Sequence, residues 1–347
     1  MFVERTQRPS WGGAVQFTAI REGKTGEAFQ AMTRRSRMLL VFLLAVIYAG
    51  CYAGIKVGLA YAPPFRFAGL RALAAGLAVL AFSASRGHRL APPRVLWRAT
   101  AAVALAGTVV GYGAMFMSPL HTGAGLSSVL GNTEPLLVIV LAAFVLGEHV
   151  TVTKALALGL GLAGISLIAY PALAGPTRGG VLSLAMPLAA AAGAATESVL
   201  VKRARPAPEA LLAFVGWELS IGGALLLFFS AWVETGQVRW TPTFIALLSA
   251  LALVGTSFTT CLWYWLIQRD EVGRLSLPLF AVPVLGLALA AVAFGERVGL
   301  AAALGVAVTL SGIAIVARDS IRGDDPPSTP HPRGARDEHL HRVDRTR

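Results

Sequence analysis

The sequence predicts an all-α polytopic membrane protein, with ten transmembrane helices arranged as two inverted five-helix repeats. Three observations carry this expectation. The 347 residues are 55% hydrophobic and only 14% charged, with a mean hydropathy of +0.65, whereas an average soluble domain is about 25% charged. The apolar residues come in runs near the roughly 20 that a helix needs to cross lipid, too long and too little alternating for the strands of a barrel. Landmark residues also recur at a fixed offset along the chain.

The elements follow in order. Residues 1–37 form a basic cytoplasmic tail ending in Arg34, Arg35 and Arg37. It has no apolar core followed by a small-residue cleavage site, so it does not read as a removable signal peptide. Met32 is an alternative start, and the tail is expected to be disordered. Spans are then placed at about 38–59, 64–84, 97–118, 123–146, 152–171, 180–200, 209–232, 242–267, 272–294 and 298–317. Breakers and charges separate them, among them Pro63-Pro64, Arg86 to Arg98, Gly147-Glu148, Pro171 to Gly180 and Lys202 to Pro208. The first repeat covers 38–171 and the second 180–317. Residues 318–347 are rich in proline, arginine and histidine, a composition that builds no core and predicts a disordered tail.

A net charge of +12 would suggest nucleic acid in a soluble protein. Here 24 of the 30 Lys and Arg fall on one side of the predicted spans, and only Arg178, Arg239 and Arg297 on the other. That asymmetry sets orientation rather than a nucleic-acid partner. It places both termini in the cytoplasm and the chain in the plasma (inner) membrane. Cys51 and Cys261 lie in apolar runs and make neither a disulfide framework nor a metal-ligand spacing. No phosphate-binding or dinucleotide motif is present, so no cofactor and no metal is expected.

The repeat is read from pairs 148 residues apart: Gly107-Thr108 with Gly255-Thr256, Gly125 with Gly273, Pro135 with Pro283, Gly147-Glu148 with Gly295-Glu296, and Gly164 with Gly312. Upstream the offset slips to 146, where Lys56 matches Lys202. Five spans per repeat is an odd number, so the second repeat enters from the opposite side. This inverted architecture is common in carriers, with the substrate site near the midplane between the halves.

The unit ending "PLLVIVLAAFVLGEHVT…GLAGISLI", repeated as "PVLGLALAAVAFGERVG…VTLSGIAIV", resembles the EamA family of the drug/metabolite transporter superfamily. "PPFRFAGLRALAAGL" is similar to that family's second helix, with Arg71 at its recurring arginine. The resemblance covers about 38–317. It implies a ten-helix secondary carrier, often an exporter of amino acids or other small metabolites. Glu134, directly before Pro135, faces only Val282 in the second repeat and is not part of the family pattern.

Glu134 falls near the middle of the predicted fourth span, where an ionised group costs roughly 2.5–3.5 kcal/mol on insertion scales. It reads as a substrate-amine contact or proton carrier, against a protonated structural glutamate. Asn132 stands beside it, and Ser127, Gly131 and Glu134 share a helix face. Pro135 and Pro283 are expected to kink their helices. Glu218 beside Trp217 suits a cationic amine, against an interfacial aromatic with a snorkelling acid. Glu197 could serve the site or simply pair with Lys202 or Arg203. Tyr48, Tyr52 and Lys56 recur every four residues on one face of the first span, and Lys56 could hold a substrate carboxylate or snorkel. For Arg66 and Arg71 a structural ion pair outweighs substrate contact, and Arg71 needs an acidic or carbonyl partner. Thr256, Thr260, Trp263 and Tyr264 on the eighth span mirror Thr108, Tyr112 and Phe116 on the third. Such matched faces suit two halves of one cavity, against interfacial aromatic anchors. Glu148 and Glu296 each precede a helix and suit its N-terminal dipole.

The expected function is secondary transport of a small metabolite, an amino acid or related zwitterion or amine, by alternating access, with export favoured and a proton as candidate coupling ion. A drug or toxic-cation efflux carrier is the alternative. An intramembrane lipid-modifying enzyme is disfavoured, because no nucleophile, base or metal constellation emerges. The partners are the substrate, the bilayer and protons; a second copy of the chain remains open.

Overall fold

The computed structural model describes residues 34–122, 130–173, 180–294 and 299–322. They form ten consecutive helical stretches. The first two are α1 (Arg34–Gly58) and α2 (Pro64–Ser85). The third, α3 (97–122), changes winding twice: Trp97–Val103 is α-helical, Ala104–Tyr112 is a wider π segment, and Gly113–Thr122 is α-helical again. Then come α4 (Glu134–Leu146) and α5 (Val152–Leu173). The second repeat supplies α6 (Gly180–Ala204), α7 (Pro208–Val233) and α8 (Pro242–Ile267), the last with its own π segment at Leu253–Phe258. It ends with α9 (272–294) and α10 (Leu300–Arg322).

Among the described residues, five helices are long and apolar enough to cross a membrane by themselves. Shorter apolar helices lie in α4, α5, α9 and α10, and α6, which carries Pro187 within it, is the tenth. Large apolar side chains such as Phe144, Phe228 and Trp232 point outward, which a lipid surround tolerates and water does not. Residues 1–33 and 323–347 of the predicted tails, with Ser127, Gly125, Arg178 and Glu296, lie outside the described residues, whereas 34–37 and 318–322, expected to be tail, extend α1 and α10 as helix.

Two departures from the sequence expectation bear on the site. The fourth span is not one continuous helix across Glu134. A turn at 132–133 interrupts it, and α4 starts at Glu134 with Pro135 in its first turn. Proline is pre-organised for that position, where its missing N–H would have had no partner anyway. Pro135 therefore starts a helix and does not kink one. Pro283 behaves alike: α9 runs as a short helix, Val272–Ser276, then a 3₁₀ turn at Leu277–Phe280, and its main helix begins at Ala281, two residues before the proline. Both repeats thus carry a broken span at matching positions.

The two repeats are locked by small residues. On α2, a Cβ at Gly76 would meet the backbone carbonyl oxygen of Gly216 on α7 at 2.7 Å. On α5, a Cβ at Gly164 would meet that of Gly305 on α10 at 2.6 Å. In lipid, where lipid tails are as apolar as leucine, close backbone approach supplies the packing that holds helices together. A buried apolar cluster draws on both repeats, from Leu44 and Val79 to Phe214, Leu219, Leu275 and Val282.

Acidic residues also cap across the repeat boundary. Glu148 accepts from the backbone N–H groups of Val272 (2.8 Å) and Gly273 (3.1 Å), at the start of α9. The physics is that of a carboxylate at a helix N-terminus, but the helix is not the next one in sequence. Glu234 does the same for α2, accepting from Phe65 N (2.8 Å) and Arg66 N (2.9 Å). Arg66 donates to Ser230 Oγ at 3.1 Å and is held in this corner. Lys202 donates to the carbonyl of Asp270 (2.8 Å) just past the end of α8, which leaves Glu197 to other partners.

Candidate functional site

A cavity of about 130 Å³ lies between the repeats. The matched broken spans and π segments supply much of its wall. Tyr48 and Tyr52 come from α1, Arg71 from α2, Tyr112 from the π segment of α3, Asn132 and Glu134 from the break before α4, Glu197 from α6, and Thr260 from α8. The sequence named six of these as site residues: Tyr48, Tyr52, Tyr112, Asn132, Glu134 and Thr260. The break brings Glu134 and Asn132 there, because α4 begins at the cavity rather than running past it.

Arg71 is buried, at 2% exposure. Its Nε donates to Thr256 Oγ1 at 2.7 Å and its Nη2 to the Gly255 carbonyl at 2.9 Å. The expected carbonyl partner is there; among the described residues no carboxylate pairs with it. The guanidinium carbon stands 5.4 Å from the centroid of Tyr112 and 5.8 Å from that of Phe116, distances at which a ring face attracts a cation. Among the described residues Nη1 has no hydrogen-bond partner.

The acids are arranged differently. Tyr264 donates to Glu197 Oε1 at 2.8 Å, and its hydroxyl is also 3.2 Å from Glu218 Oε1. Thr108 donates to Glu218 Oε2 at 3.1 Å. Gly107, also on the π segment, leaves room for Glu197: a Cβ there would lie 1.8 Å from Glu197 Oε2.

Four candidates are not in the cavity wall. Glu218 and Tyr264 are fully buried behind it, at 1% and 0% exposure. Trp217 does not make a cation site with Glu218. Neighbouring helix residues point about 100° apart, and the Trp217 indole donates to the Leu90 carbonyl at 2.7 Å while packing edge-on against Trp97. Lys56 is exposed and lies outside the cavity lining. A four-residue step turns a helix by 400°, so each step drifts 40° and two steps carry Lys56 away from Tyr48.

Two cavity residues were undervalued by sequence reasoning, Arg71 and Glu197. A usable signal existed. The matched pairs Gly107-Thr108 and Gly255-Thr256 both fall in the π segments, which are frequent at functional sites. Each threonine holds one charged side chain of the helix that packs across from it.

Two inverted helical repeats, broken spans at matching places and a cavity between them that holds Arg71, Glu134 and Glu197 define a membrane carrier. The chain belongs to the EamA-like transporter family, whose pattern matches residues 35–170 and 180–318. It is 26% identical to the uncharacterized transporter YvbV of Bacillus subtilis, across 81% of this chain and 91% of that one. It is 27% identical to a probable amino-acid metabolite efflux pump of Escherichia coli, across 80% of this chain and 93% of that one. A solved crystal structure shares the fold with a TM-score of 0.68 at 21% identity, covering 84% of this chain and 99% of the other.

Proposed function

We propose that the protein exports a small zwitterion, an amino acid or a close relative, across the plasma membrane by alternating access, with both chain ends in the cytoplasm. The observation that carries the reading is Arg71. A buried guanidinium with one nitrogen unpartnered among the described residues, and no carboxylate partner among them, is a costly feature unless something anionic visits it. A substrate carboxylate in the cavity fits, since charge-assisted contacts of this kind are among the strongest available. Glu134 lines the same cavity and supplies the complementary charge for a substrate ammonium. The relative named as an amino-acid metabolite efflux pump supports this substrate class. The size of the cavity, about 130 Å³, favours a small metabolite over a drug-sized ligand, whose sites run to roughly 300–1,000 Å³.

The half-bundles would rock about the cavity, opening it to each side in turn. Metabolite profiling of medium and cytoplasm tests the reading, using cells with wild type, Arg71→Gln, Glu134→Gln or empty vector at matched membrane levels. The expected result is outward movement of one or a few amino acids with wild type and not with either variant. Outward movement of a compound without a carboxylate, unchanged in Arg71→Gln, would sink it.

A further inference from the structure

Behind the cavity wall, four side chains form a line that the carrier reading does not use: Thr108, Glu218, Tyr264 and Glu197. Only Glu197 reaches the cavity. Among the described residues no Lys or Arg forms an ion pair with either glutamate. The groups that face the pair are Tyr48 from α1, Tyr112 from α3, Glu134 from α4 and Cys261 from α8. Arg71 of α2 approaches the same Tyr112 from another side. The neighbourhood therefore holds three carboxyls and one guanidinium, and the guanidinium is committed to Thr256 and Gly255.

Hydrogen-bond counting gives the trio one proton beyond the tyrosine's own, and the two distances place it on Glu218. A tyrosine hydroxyl has one hydrogen. Tyr264 gives it to Glu197 Oε1, the shorter contact at 2.8 Å. The 3.2 Å contact between the Tyr264 oxygen and Glu218 Oε1 is then a hydrogen bond only if Glu218 supplies the hydrogen. Glu218 Oε2 meanwhile accepts from Thr108. With Glu218 as a carboxylic acid every member is satisfied head to tail; with two carboxylates, one oxygen faces another with nothing between.

We propose that Glu218, Tyr264 and Glu197 form a proton-binding site behind the cavity wall, which exchanges its proton with the cavity and couples the carrier to a proton gradient. Glu218 gives its hydrogen to the Tyr264 oxygen while Tyr264 gives its own to Glu197. Tyrosine is unchanged, Glu218 becomes the carboxylate and Glu197 the acid, and Glu197 then releases the proton to water in the cavity. Two hydrogens shift along the line, each O–H bond broken is matched by one formed, and the net result is one proton passed from Glu218 to cavity water. Gly107 belongs to this device, because any side chain there would displace the Glu197 carboxylate. The assignment moves the coupling role from Glu134, which is left for the substrate.

The coupling half of the proposal rests on the carrier reading; the proton site does not. The first test is infrared difference spectroscopy on the purified full-length protein in lipid nanodiscs, stepped through pH with no substrate. The expected wild-type signal is the C=O stretch of a protonated carboxylic acid, lost in Glu218→Gln. In the isosteric Tyr264→Phe the band persists but moves to the higher frequency of a weaker hydrogen bond. A band absent from wild type, or lost only in Glu134→Gln, overturns the site. The second test uses wild-type proteoliposomes and a mixture of isotope-labelled amino acids read by mass spectrometry. Exchange without a gradient, together with accumulation several-fold higher under an imposed pH gradient, is the expected result. Exchange that a gradient does not stimulate overturns the coupling and leaves the carrier standing. Absence of any exchange overturns the amino-acid reading and the coupling with it, while the infrared band still decides the proton site.

Discussion

Nε of Arg71 donates to Thr256 Oγ1 at 2.7 Å, and the same construction recurs in the other repeat with an acid in place of the base. There Thr108, the partner of Thr256 by the repeat offset of 148, donates to Glu218 at 3.1 Å. Glu218 follows Arg71 by 147 residues, so α2 and α7 carry a base and an acid at nearly corresponding places. A shared frame holds a base in one half and an acid in the other, and of the two only Arg71 lines the cavity.

Arg71 is therefore expected to set affinity for the carboxylate end. In reconstituted uptake, Arg71→Gln should raise KM for an amino acid by roughly 10- to 100-fold, as loss of a charged hydrogen bond worth about 1.5–3 kcal/mol implies. Arg71→Lys should recover only part of this, since an ammonium lacks the planar fork that satisfies Thr256, Gly255 and a substrate oxygen together. Equal losses for an amino acid and its decarboxylated amine would contradict the assignment.

Gly107 gives a sharper steric prediction. A methyl group there would stand 1.8 Å from Glu197 Oε2, so Gly107→Ala must push the carboxyl away from Tyr264. Overpacking of this kind costs about 1–3 kcal/mol. The expected outcome is a folded, inserted protein with a modestly lower Tm and transport reduced at least tenfold. Wild-type transport in Gly107→Ala would show that Glu197 need not sit where it does.

The fold was largely legible in the sequence because lipid imposes one rule, that apolar runs of spanning length must be helical. The repeat was legible because Pro135 and Pro283, and the Gly-Glu pairs after them, keep their spacing. What escaped was local winding. Whether a proline kinks a helix or begins one depends on the residues just before it. Around Pro135 those turn at Asn132 and Thr133, which tertiary contacts decide. The direction of Trp217 escaped for a related reason. Adjacency in sequence to Glu218 says little about adjacency in space on a helix, and its indole instead meets Leu90 and Trp97.

The interface between α5 and α10 supplies a paired stability test on one helix. A Cβ at Gly164 would lie 2.1 Å from Thr309 Oγ1 and 2.6 Å from the Gly305 carbonyl, whereas one at Gly159 meets nothing within 4 Å. Gly164→Ala should destabilise by about 1–3 kcal/mol through forced separation of the helices. Gly159→Ala should be neutral or stabilising by up to about 1 kcal/mol, since alanine is the better helix former. Thermal unfolding in one detergent compares them directly, and similar Tm values for the two variants would refute the close packing.

A last prediction concerns Lys154, whose side chain is 5% exposed while that of its partner Glu271 is 38% exposed. The pair, at 2.6 Å, ties the start of α5 to the loop between α8 and α9, and Lys154 also donates to the His149 carbonyl at 2.9 Å. The two partners are unequal. Remove Lys154 and Glu271 still has water and Arg274, 3.4 Å away. Remove the Glu271 charge and a buried ammonium keeps only neutral oxygens, the costlier arrangement, because an uncompensated buried charge carries its desolvation penalty. Lys154→Met should therefore lower Tm less than Glu271→Gln, and the double variant should fall near Lys154→Met alone. The reverse order would mean that the ammonium reaches water and that the tie between the two repeats at this end is weak.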